Sequence, residues 1–251
     1  MIVPTVEETP REKSEEGESM DNLFAQSSTT PRATSVAEDP LGQLRIGRTQ
    51  ERTRVLGPGT RCAIWFQGCK LCCAGCMASA MNDAAPLFHT SAARLSEWVL
   101  SIEGIDGVTL SGGDPFDQPL DELADFLERV QTRSALSVLC YTGRTLSQLR
   151  AQQDPCVDRA LQSIDILIDG PYVEALNDGV GWRGSSNQVI HLLGDRTVGA
   201  EVGATVQRKL ELDIDSSGAV GFTGIPIRGR GRGLLQRLKI ATQPHGVKET
   251  G

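Results

Sequence analysis

Gly57–Met81, GPGTRCAIWFQGCKLCCAGCMASAM, is the stretch from which the rest of the chain can be placed. Within it, Cys69, Cys73 and Cys76 stand at Cys-x3-Cys-x2-Cys spacing, just after the apolar run Ala63-Ile64-Trp65-Phe66, which reads as a strand. Gly68 precedes the first of these thiols and Gly75 the last. The spacing puts three soft anionic donors on one tight loop at the end of a strand. Thiolates suit both iron–sulfur clusters and zinc, so donor type alone leaves two metals open. Cys72 adds an alternative, because Cys69/Cys72 and Cys73/Cys76 also parse as two adjacent Cys-x2-Cys pairs. Zinc ribbons separate such pairs by roughly 15–20 residues, which lets the chain fold around the metal. A thioredoxin-like redox pair lacks the matching strand–helix context directly after it. A cuboidal 4Fe–4S cluster held by three thiols keeps one iron corner open to bind another molecule.

Beyond the loop, hydrophobic periodicity alternates between two patterns. Leu95, Trp98, Val99 and Ile102 share one face of a helix starting near Ser91, and Leu120, Leu123, Phe126, Leu127 and Val130 share a face of a second. Leu146 to Ala160 reads as helical with a break near Pro155. Between these lie short apolar runs, each ending in small or polar residues: Gly107–Leu110 before Ser111-Gly112-Gly113-Asp114-Pro115, Leu136–Tyr141 before Thr142-Gly143, and Ile164–Ile168 before Asp169-Gly170-Pro171. Strand and helix in alternation predict an α/β fold with a parallel sheet, in which ligands gather beyond the carboxyl ends of the strands. Leu44-Arg45-Ile46 predicts an opening strand, Val189–Leu193 a late one, and Leu210–Ile214 with Ala219–Phe222 a strand pair.

Four motifs, in this order, resemble the radical S-adenosylmethionine (radical-SAM) superfamily, and most closely its small branch that includes the activating enzyme of anaerobic ribonucleotide reductase. They are Gly57-Pro58-Gly59 with Trp65-Phe66-Gln67-Gly68-Cys69 and Gly75-Cys76; Ser111–Pro115; Asp169-Gly170-Pro171; and Trp182-Arg183-Gly184-Ser185-Ser186-Asn187-Gln188. The resemblance implies an incomplete parallel (βα) barrel of the radical-SAM type. It implies one 4Fe–4S cluster on Cys69, Cys73 and Cys76, and S-adenosylmethionine cleaved reductively to a 5′-deoxyadenosyl radical. It also implies cofactor contacts at Gly75, Cys76 and Met77, at Gly112, Gly113 and Asp114, at Thr142 and Gly143, and at Asp169 and Arg183. No catalytic group beyond the cluster is implied. The implied partners are a reductant such as flavodoxin or ferredoxin and a glycyl-radical enzyme. The resemblance departs at Met77-Ala78, where glycyl-radical activators commonly carry an aromatic residue followed by Asn. A radical-SAM enzyme acting on a peptide or small molecule is therefore a second reading, and a non-catalytic zinc-binding module a third. In this branch the Gly-rich turn before the first cluster strand lies near the active site; taken alone, Gly57-Pro58-Gly59 is a plain turn.

Composition frames the rest. At 251 residues the chain holds one good-sized domain with tails. Residues 1–40, with nine acids, three bases and few large apolar groups, predict a disordered acidic tail, inside which Met20 is a second candidate start. Residues 41–226 predict the radical-SAM domain, and 227–251, with Arg228, Arg230, Arg232, Arg237 and Lys239 among glycines, a basic C-terminal extension. Outside the tail the charge balance is only −1, from 23 acids and 22 bases, so charge names no partner, and no nucleic acid is expected. There is no apolar run of about eighteen residues and no apolar signal-peptide core, which predicts a cytoplasmic protein away from membranes. In that setting cysteines are ligands or buried thiols rather than disulfides, and Cys62, Cys140 and Cys156 are expected in the interior. His89, His191 and His245 show no ligand spacing.

Overall fold

The computed structural model describes residues 36, 38–83, 85–86, 88–196, 208–214 and 220–226. Its centre is a seven-stranded sheet. In chain order the strands and helices are β1 (Leu44–Thr53), β2 (Arg61–Phe66), β3 (Phe88–Thr90), α1 (Ala92–Ser101), β4 (Gly107–Gly112), α2 (Leu120–Arg133), β5 (Ser137–Tyr141), α3 (Leu146–Ala151), α4 (Pro155–Gln162), β6 (Ile166–Asp169), β7 (Val189–Leu192), and the hairpin strands β8 (Leu210–Ile214) and β9 (Val220–Gly224). The sheet order is β3-β1-β2-β4-β5-β6-β7. β2, β4, β5 and β6 run parallel; β1 pairs antiparallel with β2 and with β3, and β7 pairs antiparallel with β6. The α/β class read from the sequence holds, with a parallel centre between antiparallel edges.

Side chains in a strand alternate between the two faces, and the core follows that rule. Cys62, Ile64 and Phe66 of β2, Val108 and Leu110 of β4, Val138 and Cys140 of β5 and Leu167 of β6 join a large cluster with Leu95, Leu123, Phe126, Leu127 and Leu161 from the helices. The intervening residues Leu139, Ile166 and Ile168 form a smaller cluster with Trp182, against which Tyr141 and Ile190 pack. Helices therefore cover one face of the sheet, and the chain after β6 covers part of the other. Each fully buried Leu or Phe contributes about 1.5–3 kcal/mol by leaving water.

Local signals account for the helix boundaries. The Ser91 hydroxyl accepts from the Arg94 N–H at the start of α1. The break expected near Pro155 separates α3 from α4: Gln153 adopts φ 51°, and Asp154 caps α4 ahead of Pro155 at its first turn. The opening strand is longer than Leu44–Ile46, because β1 pairs with β2 as far as Thr53 opposite Arg61. Cys62 and Cys140 are buried as expected, whereas Cys156 is only half-buried.

Of the expected tail, residues 1–35 and 37 lie outside the described residues, as does the basic extension 227–251 with His245. Val36 is buried in the main core and the Asp39 N–H donates to the His89 carbonyl, so these two residues of the expected tail pack on the domain. Among the described residues no helix is long and apolar enough to cross a membrane.

Candidate functional site

β2 delivers the cysteine loop at its carboxyl end, and the base of that loop is closed by the chain itself. The Gly68 N–H donates to the Met81 carbonyl at 2.8 Å and the Cys69 N–H to the Asn82 carbonyl at 3.2 Å. The Gln67 amide donates to the carbonyls of Ala80 and Asp83, at 3.1 and 2.9 Å. Inside the loop, Cys72 and Gly75 adopt φ 45° and 70°, and the Cys76 N–H donates to the Cys73 carbonyl at 3.1 Å. Cys69, Cys73 and Cys76 are each half-buried, and no disulfide engages any of the seven cysteines. The Cys72 thiol turns back onto the loop, 3.2 Å from the Cys69 carbonyl. Three thiols on one closed turn fit an iron–sulfur cluster as a donor set; the two-pair zinc parsing would need Cys72 to leave that carbonyl. The backbone brings the cysteines together, but among the described residues no three Cys, His, Asp or Glu side chains already converge as metal ligands.

The carboxyl end of β4 forms the wall beside this loop. A Cβ at Gly112, whose φ is 96°, would lie 2.5 Å from the Phe66 carbonyl, and one at Gly113 would lie 2.2 Å from the Gly68 carbonyl. The two glycines thus admit the backbone of the cysteine loop itself. Asp114 is fully buried and accepts from the N–H groups of Phe116 and Gly143, at 2.9 and 3.1 Å. The Thr142 hydroxyl lies 3.1 Å from both of its oxygens, and Arg144 Nη1 lies 3.1 Å from Oδ2. Burial pushes the Asp114 carboxyl up from the usual range, with Arg144 and the two N–H groups opposing. The expected contacts Asp114, Thr142 and Gly143 are therefore joined to one another. The Asp114 carboxylate and the Thr142 hydroxyl are bonded within the wall.

Asp169, at the end of β6, accepts from the Leu146 N–H and from His191 Nε2, the latter at 2.9 Å. By strand alternation it shares the helix-facing side with Leu167, so its carboxylate caps α3. It lines a groove of about 820 Å³ with Thr145, Ser147, Arg150, Asn187 and His191. Arg183 pairs with Asp178 at 2.8 Å. Asp169 is thus bonded to Leu146 and His191, and Arg183 to Asp178.

The segment after β6 does reach the loop. Gln188 Oε1 accepts from the Gly184 and Ser185 N–H groups while its amide donates to the Gly170 carbonyl, and the Asn187 amide donates to the Pro171 carbonyl. This ties Trp182–Gln188 to Asp169-Gly170-Pro171. A Cβ at Gly184 would meet Met77 Cε at 3.3 Å, and one at Gly75 would meet Glu174 Oε2 at 2.8 Å. Glu174 and Gly184 thus lie beside Gly75 and Met77, which stay half-buried.

Four further residues matter, and residue type alone does not reveal them. Gln67 closes the loop's base. Asp117 accepts the Lys70 N–H and the Arg144 guanidinium, at 2.8 and 2.6 Å. Arg208 donates to the carbonyls of Arg183 and Gly184. Arg61 is wholly buried, and its donors reach Thr109, Ser137 and the carbonyls of Pro58 and Val108. Burial pulls its pKa down to about 10, which leaves it charged at neutral pH. Arg61 and Gly57-Pro58-Gly59 lie at the amino end of β2, the end opposite the cysteines, so the plain-turn reading of those glycines fits.

The model of the family described as "4Fe-4S single cluster domain" matches residues 55–191. The anaerobic ribonucleoside-triphosphate reductase-activating protein of Escherichia coli (strain K12) is 33% identical over 146 residues, covering 55% of this chain and 92% of that protein. The protein of the same name from Haemophilus influenzae is 36% identical over 149 residues, with 54% and 89% covered. That from Enterobacteria phage T4 is 30% identical over 138 residues, with 53% and 85% covered.

Proposed function

Because this chain belongs to the 4Fe-4S single cluster domain family, in the radical-SAM branch of the activating proteins to which it is similar, we propose that it activates a glycyl-radical enzyme, a ribonucleotide reductase of the anaerobic type. Cys69, Cys73 and Cys76 hold the cluster, and the mixed sheet serves as an incomplete barrel of the radical-SAM type. Bound there, such a cluster supplies the electron, taken from a flavodoxin- or ferredoxin-like donor, for reductive cleavage of S-adenosylmethionine to a 5′-deoxyadenosyl radical, which takes a hydrogen atom from the partner. The residues of the chain orient the loop. Gly112 and Gly113 let the β4 end abut the loop, Asp114 fixes that end to Thr142 and Gly143, and Glu174 and Gly184 flank Gly75 and Met77.

The observation that carries this reading is the half-buried three-thiol turn, shut at its base and set at the carboxyl end of a parallel strand. Reduced, anaerobically reconstituted protein given S-adenosylmethionine should release methionine and 5′-deoxyadenosine, and a glycyl-radical reductase added to it should gain a doublet EPR signal. Cleavage without that doublet would leave a peptide or small-molecule substrate. One zinc per chain and no sulfide would overturn the enzyme readings altogether.

A further inference from the structure

The turn between β4 and α2 connects four parts of the fold, and Asp117 is its link to the cysteines. One carboxylate oxygen accepts the Lys70 N–H, the peptide group directly after Cys69, at 2.8 Å. The other accepts from Arg144 Nη2 at 2.6 Å. Arg45 donates to the Asp117 carbonyl at 2.7 Å, and Gln118 bridges the Arg45 N–H and the Gln67 carbonyl. The Asp117 side chain is 3% exposed, and Arg144, at 20%, is shared between Asp117 and Asp114. Lys70 Nζ is 3.9 Å away but its side chain is 84% exposed, where a charge is well screened. The Asp117 carboxylate is thus the acidic group bonded to the backbone after the first thiol, and Arg144 is the cation paired with it.

We infer that Asp117 is a positioning residue of the cysteine loop, and that with Arg144 it sets the electrostatic poise of a cluster held there. This rests on the cluster reading above. A cluster gains negative charge on reduction, so a fixed anion beside it disfavours the electron and a fixed cation favours it; charge and hydrogen bonding are among the factors that set such potentials. A bond to the peptide group after Cys69 also fixes where the first thiol emerges.

The test is an EPR-monitored redox titration of the anaerobically reconstituted full-length protein, with iron and sulfide counted per chain. Asp117→Asn keeps an acceptor for Lys70 and removes the charge; it should load like the wild type and shift the midpoint potential in the positive direction. Arg144→Gln removes the cation and should shift it in the negative direction. Opposed shifts support the inference. Unchanged potentials, or shifts of one sign in both variants, overturn it while leaving the cluster reading intact. Should Asp117→Asn fail to fold, Arg144→Gln decides alone: a negative shift supports the inference and no shift overturns it. A wild-type chain that takes up no iron and sulfide overturns the cluster reading and this inference with it.

Discussion

Asp114 and Thr142 meet at the carboxyl ends of the neighbouring parallel strands β4 and β5, with the Thr142 hydroxyl 3.1 Å from each carboxylate oxygen. The pairing locks two strand ends side by side under the cysteine loop, and it sets the order in which substitutions should be felt.

Asp114→Asn leaves an amide where a buried carboxylate received two backbone N–H groups and Arg144, and should cost about 1–3 kcal/mol of stability. Asp114→Ala should cost about 1–3 kcal/mol for each of the two N–H groups left without an acceptor, while Arg144 keeps Asp117. Urea unfolding of the metal-free protein measures both. A variant with unchanged stability and weaker S-adenosylmethionine binding would instead place the carboxylate on the cofactor.

Gly113→Ala puts a methyl group 2.2 Å from the Gly68 carbonyl, a contact only backbone movement can relieve. The base of the cysteine loop must shift, so iron and sulfide bound per chain should fall well below the wild-type level after reconstitution, while far-UV circular dichroism stays unchanged.

Cys73→Ala should abolish cluster assembly, and Cys72→Ala should leave iron content nearly unchanged, because the Cys72 thiol faces the Cys69 carbonyl. Visible absorbance of the two reconstituted variants separates these outcomes. Loss of iron in Cys72→Ala would restore the two-pair parsing.

Burial raises the Cys62 thiol from its usual value near 9 to about 12. In the unfolded chain this thiol ionises near its usual value, whereas in the fold it keeps its proton. Its contribution is therefore fully present below about pH 9 and is lost as pH rises toward 12. Stability should fall by about 1.4 kcal/mol per pH unit from this group within that window. Urea midpoints between pH 8 and 10.5 should decline less steeply in Cys62→Ala than in the wild type.

Much of the frame was legible because it repeats. Leu120, Leu123, Leu127 and Val130 mark a helix face whatever surrounds them, and Ser91 and Pro155 punctuate the chain by local chemistry. β3 has only three residues, too few to show a period, and it exists because Phe88–Thr90 pairs with Leu44–Ile46. The cysteine loop was legible from spacing. The wiring around it was not, since Lys70 to Asp117 spans 47 positions and Arg144 to Asp117 spans 27. Residue type also does not tell whether a carboxylate is already occupied by its neighbours. Asp114, Asp169 and Arg183 stand at motif positions that suggest ligands, and each is engaged by another part of the chain.

The bonds from Gln67, Gly68 and Cys69 to residues 80–83 are all made between protein groups. Ordering of this segment is thus charged to the polypeptide, unlike a zinc finger, which folds only around its metal. Closure of the loop's base thus calls on no ligand of Cys69, Cys73 or Cys76, and chelating away any iron held there should leave these bonds in place.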